Sequence, residues 1–129
     1  MINPSEIRIG NIILVPLNGG HVYAAVESWG TDGGYIRYIN SLYGGIQASP
    51  SLRDLNPVVL DANILSSCSF ISNSLNNAIT NPVGFVFQNS VVYALVSNAP
   101  INRSHPIGHL HHLQNFYYAL TGQELPVNL

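Results

Sequence analysis

A chain of 129 residues with 47% hydrophobic side chains is one domain's worth of sequence and long enough to bury a core. Only 8% of its residues are charged and lysine is absent, so a broad cationic surface for nucleic acid is excluded, as is disorder, which needs low hydrophobicity and high charge. With a net charge of −2, little repulsion opposes association, and a homo-oligomer or a part of a larger assembly is expected.

The single Cys68 leaves no internal disulfide. The opening "MINPSEIRIGNIILV" lacks the basic segment, long apolar stretch and small-residue cleavage site of a signal peptide, and no apolar run reaches membrane-spanning length. A cytoplasmic protein without a membrane partner is the expectation.

In chain order, "NIILVPL" is apolar and β-branched and stops at the turn "NGG". "HVYAAVESW" follows, with Val22, Ala24 and Val26 alternating against Tyr23, Ala25 and Glu27. "GTDGG" marks another turn before "YIRYI", and "NSLYGGIQ" offers a further short strand or an irregular crossing. Short strands divided by glycine turns predict an antiparallel meander, here expected to curl into a small SH3-like barrel because closure removes exposed edges. At "LDANILSSC" the period changes: Asp61 can N-cap a short helix over about Ala62 to Cys68, with Ile64, Leu65 and Cys68 on one face. Cys68 then reads as a small buried hydrophobe. "ISNSLNNAITNP" is a polar loop, with the expected mobile segment between Ser72 and Pro82, "VGFVFQNSVVYALVS" a hairpin with "QNS" near its tip, and "NAPINRSHPIG" a connecting loop. No repeat and no linker between two cores is seen, so a single α+β domain over 1–129 is expected.

The last helix begins around His109. Leu110, Leu113, Phe116, Tyr117 and Leu120 fall on one side, read as the core face, while Gly122 suits the left-handed position after the helix and Pro126 blocks continuation. The opposite stripe, His111, Gln114, Asn115 and Tyr118, is polar yet uncharged; no Asp, Glu, Lys or Arg lies between Arg103 and Glu124. Such side chains hydrogen-bond directionally without a heavy desolvation cost, which makes the stripe the candidate contact surface. The other reading is that it packs on the protein's own loops or faces water.

Four histidines fall between His105 and His112. His109 and His112 have helical ligand spacing, but His111 projects away from that pair on a helical wheel, and no carboxylate or cysteine is near in sequence. No native metal site or cofactor is expected. No nucleophile motif frames any serine, the glycine pairs sit between strands rather than opening a helix, and Glu6, Glu27, Asp32, Asp54 and Asp61 show no paired spacing, so no catalytic residue is assigned.

Three segments together resemble a family of short uncharacterised proteins of bacterial genomes and their phages or prophages. "PSEIRIGNIILV" resembles that family's "ELRIGN" opening through Ile7, Arg8, Ile9, Gly10 and Asn11. "NPVVLDANILSSCSF" resembles its middle motif, roughly "PIPLTEEWLLKFGF", through Pro57, Leu60, Leu65 and Phe70. "LHHLQNFYYALTGQEL" resembles its closing signature, roughly "VHQLQNLYFALTGEEL", through His111, Leu113, Gln114, Asn115, Tyr117, Ala119, Leu120, Thr121, Gly122, Glu124 and Leu125. Asp61, Ile64 and Cys68 depart from the middle motif, standing for threonine, tryptophan and phenylalanine, and of the clustered histidines only His111 belongs to the pattern. The resemblance implies a mobile-element association and no particular chemistry. Gly10-Asn11 fits a tight turn into the first strand.

The expectation is a non-enzymatic, self-associating interaction or structural module. Two alternatives stand beside it: a small metal-dependent hydrolase using the His105–His112 region, and a weak nucleic-acid binder using Arg8 and Arg37 with Trp29, Tyr35 or Tyr38 as stacking aromatics.

Overall fold

The computed structural model describes residues 2–31, 33–39, 46–75, 83–97 and 99–129. The chain divides into two compact units, Met1–Val58 and Val59–Leu129. The division falls inside the apolar run "PVVL", with no Gly- or Ser-rich linker.

In the first unit, β1 (Ile12–Leu17), β2 (Gly20–Gly30), β3 (Gly33–Tyr38) and β4 (Gln47–Ala48) form an antiparallel meander in that order. The "NGG" signal makes the β1–β2 turn, with Asn18 and Gly19 both at positive φ, as a two-residue turn between twisted strands requires. The alternation read from the sequence holds: Ala24 and Val26 face inward with Ile13, Val15 and Ile36, joined by Ile2, Ile7 and Leu55. A bulge between Val26 and Ser28 then shifts the parity of β2. It turns Trp29 back onto the core side, where the ring packs and Nε1–H donates to the Pro4 carbonyl at 3.1 Å. Gly34 lies opposite Trp29, and a Cβ there would overlap the Ser28 carbonyl.

The turn before β1 is built as the sequence suggests. Gly10 takes φ 95°, a region that favours glycine, and its N–H donates to the Val26 carbonyl. Buried Asn11 accepts from the Arg8 N–H on its side-chain oxygen at 2.8 Å and from the Val26 N–H on its carbonyl.

Among the described residues the expected barrel is not closed: β1 and β4 are the two ends of the row. In place of closure, the free edge of β1 is plugged locally, where Leu14 exchanges both backbone hydrogen bonds with Asn56. Residues 40–45, which hold most of the "NSLYGGIQ" segment, lie outside the described residues, as does Asp32 of the second turn.

The second unit contains α1 (Ala62–Ser67), then β5 (Ser74–Leu75), β6 (Val83–Gln88), β7 (Val91–Val96) and β8 (Ala99–Pro100), a second antiparallel meander in sequential order, then α2 (Leu110–Thr121). With two antiparallel sheets and two helices, the fold is of mixed α+β class. Asp61 caps α1 as expected, accepting from the Ile64 N–H at 2.8 Å. The β6–β7 hairpin is the one read from "VGFVFQNSVVYALVS", with Asn89 and Ser90 at its tip. Two short strands flank it where the sequence pattern shows only loops, and the expected mobile segment lies partly outside the described residues, at 76–82.

Asn102 completes the β7 edge. Its side-chain oxygen accepts from the Ala94 N–H at 2.8 Å, and its amide donates to the Val92 and His105 carbonyls, each at 3.3 Å. One side chain thus replaces a missing stretch of strand and fixes the segment that leads into α2. No helix of the described residues is long and apolar enough to cross a membrane.

Candidate functional site

The helix α2 and the segment before it carry the features that the sequence singles out. Its start is set by His109, which is extended at φ −127° and ψ 147° and pairs by backbone with Val59. Its end is Gly122 at φ 72°, whose N–H donates to the Tyr118 carbonyl, while the Thr121 hydroxyl donates to the Tyr117 carbonyl at 2.8 Å. The helix therefore starts and stops where the sequence places its ends.

The helix is rotated relative to the expected core face. Leu110, Leu113 and Tyr117 are buried, with the Tyr117 ring 5.7 Å from that of Phe85. Beside them lie His111 and Gln114, only 1% and 2% exposed, rather than Phe116 and Leu120. Of the candidate stripe, Asn115 is half-buried and Tyr118 is 43% exposed, so the accessible part of the four is Asn115 and Tyr118. Burying a polar side chain without formal charge, such as Gln114, costs far less than burying Lys or Glu. A wheel drawn from hydrophobicity alone could not detect the rotation.

What the rotation leaves outside is a second stripe, His112, Asn115, Phe116 and Ala119, at i, i+3, i+4 and i+7. With His105, Pro106 and Ile107 it lines an open, largely apolar groove of about 510 Å³. Tyr118 and Leu120 flank it in sequence, and Leu120 is 37% exposed. The sequence signal that could have found this face is the same uncharged run from Ser104 to Gln123, read without assuming that its aromatics point inward.

The histidines are closer together than a helical wheel allows. His111 and His112 have ring centroids 4.1 Å apart, and His109 lies 5.9 and 5.7 Å from them. The wheel misplaces them because His109 is not helical and because side chains of a first turn lean toward the helix N-terminus. The rings of positions 111 and 112 therefore tilt back over the capping residue.

The remaining candidates are dispersed. Cys68 is fully buried, and burial pushes its thiol up to about 12, the state of an inert core thiol. Trp29 and Tyr38 pack against the core of the first unit, whereas Tyr35 is 56% exposed. Arg37 pairs with Glu27 at 2.6 Å on an exposed face. Trp29, Tyr35 and Tyr38 thus share no accessible stacking face.

No family model matches this chain, and neither a curated protein nor a solved structure is found similar to it. The class defined by fold and site is a mixed α+β protein of two meanders, with an uncharged helix face beside a cluster of imidazoles.

Proposed function

We propose that the protein is a non-enzymatic interaction module that self-associates through the outward side of α2, with a second copy of the chain as the occupant of the groove. The observation that carries this reading is the surface formed by Asn115, Phe116, Tyr118, Ala119 and Leu120, which is accessible, partly apolar and without any charge. An exposed helix ordinarily solvates its outer face with Lys and Glu. An uncharged face can meet its own copy about a two-fold axis with no like-charge clash, and a symmetric dimer is the commonest assembly of a soluble chain.

The same proposal places the protein in the cytoplasm and, on the three motifs that resemble phage and prophage proteins, in a mobile-element setting. A bulge such as that between Val26 and Ser28 bends a strand, which supports an SH3-like curl of the first meander. Lack of a shared accessible face for Trp29, Tyr35 and Tyr38 supports setting the nucleic-acid reading aside.

The test is sedimentation velocity of the native chain against Leu120→Lys. Lysine at this accessible position near the helix C-terminus suits the helix dipole and leaves the monomer intact. Two such charges opposed across a dimer axis should shift the chain to monomer. An oligomer insensitive to Leu120→Lys and Tyr118→Lys would remove α2 from the interface.

A further inference from the structure

We infer that His111 and His112, joined by His109, bind a divalent transition-metal ion of the zinc class. The inference does not rest on self-association. His111 and His112 each offer a ring nitrogen within 4.8 Å of the other's. Imidazole nitrogens bind zinc at about 2.0–2.1 Å in a tetrahedral array, which puts three ligating rings with centres about 5 Å apart. The observed centroid separations of 4.1, 5.7 and 5.9 Å bracket that value. Convergence on one ion needs the ring of His109, at a half-buried position, to turn toward the other two.

The backbone favours this arrangement. His109 is extended and stands outside the helix, while His111 and His112 lean back toward it from the first turn. His111 is buried and held by packing, which fixes one ligand, and a rigid first ligand lowers the ordering cost of the others. His112 lines the groove of about 510 Å³, which in the single chain gives an ion a path to the rings. Neutral imidazole selects zinc, copper or nickel over magnesium and calcium, which prefer oxygen.

The test uses the full chain produced without a histidine tag. Calorimetry with zinc reads stoichiometry and affinity, and visible absorption with cobalt reads coordination. One ion per chain, with micromolar or tighter affinity, is the expected result. His112→Asn and His109→Asn, both at half-buried positions, should each weaken binding at least about tenfold. His21→Asn, at an exposed position in the first unit, should leave it unchanged. Circular dichroism of each variant confirms folding, so the outcome does not depend on His111→Asn, whose buried site could fail to pack. Absence of binding at millimolar zinc, or unchanged affinity in His109→Asn or His112→Asn, overturns the proposal. Equal weakening by His21→Asn overturns it as well, because it would mark diffuse surface chelation.

Discussion

Replacing Asn102 by alanine removes three hydrogen bonds at once and tests whether one side chain holds the approach to α2. The Ala94 N–H, at a fully buried residue, would lose its acceptor, and an unsatisfied buried donor costs about 1–3 kcal/mol. The Val92 carbonyl keeps the Ile107 N–H at 3.1 Å, so little is lost there, and the bond to the His105 carbonyl is near the surface. A total of about 2 kcal/mol follows, dominated by the Ala94 N–H. With a urea slope of about 1.5 kcal/mol/M, the unfolding midpoint should fall by about 1.3 M. Asn102→Asp separates the two ends of the amide. It keeps an acceptor for Ala94 but turns a second oxygen onto the Val92 and His105 carbonyls, so it should be no more stable than the alanine variant. Urea titrations of the three proteins measure this. A midpoint shift below about 0.3 M in Asn102→Ala, or an aspartate variant as stable as the parent, would refute the reasoning.

Three further outcomes are expected. Asp61→Ala should cost about 1 kcal/mol in urea unfolding by freeing the Ile64 N–H, and Asp61→Asn, which can still cap, much less. Gly34→Ala should cost at least about 2 kcal/mol, because its methyl would overlap the Ser28 carbonyl and approach the Trp29 Cα at 2.9 Å; the fluorescence of the sole tryptophan reports it. Cys68 should resist thiol reagents in the folded chain. Because burial raises its pKa from 9.0 to about 12, the unfolded chain loses that proton first. The stability it contributes is therefore complete below about pH 9 and declines above it by about 1.4 kcal/mol per pH unit. Urea unfolding on both sides of pH 9 should show this slope, and Cys68→Ala should abolish it.

Elements set by local chemistry are legible in the sequence. Asp61 before "ANILSS", Gly122 after the last helix, "NGG" and "QNS" between alternating strands, and "RIGN" as a turn each have a local physical cause and stand where it puts them. Barrel closure is not legible, because it depends on whether distant strand ends meet, and Asn56 answers the edge of β1 more simply. The short strands β5 and β8 escape a sequence pattern because two residues carry no period. The rotation of α2 escapes it because a wheel ranks Phe116 and Leu120 as more buried than His111 and Gln114, whereas the fold buries the two polar side chains instead. Gly10, Asn11, Thr121 and Gly122 illustrate the same point, since each builds a turn or a cap.

The central claim is association through the outward side of α2, and multi-angle light scattering over a wide range of concentration tests it most directly. A mass that rises above 14.0 kDa toward its double, and that stays near 14.0 kDa in Leu120→Lys, is the predicted result. A native chain that remains at 14.0 kDa at the highest concentration would contradict it.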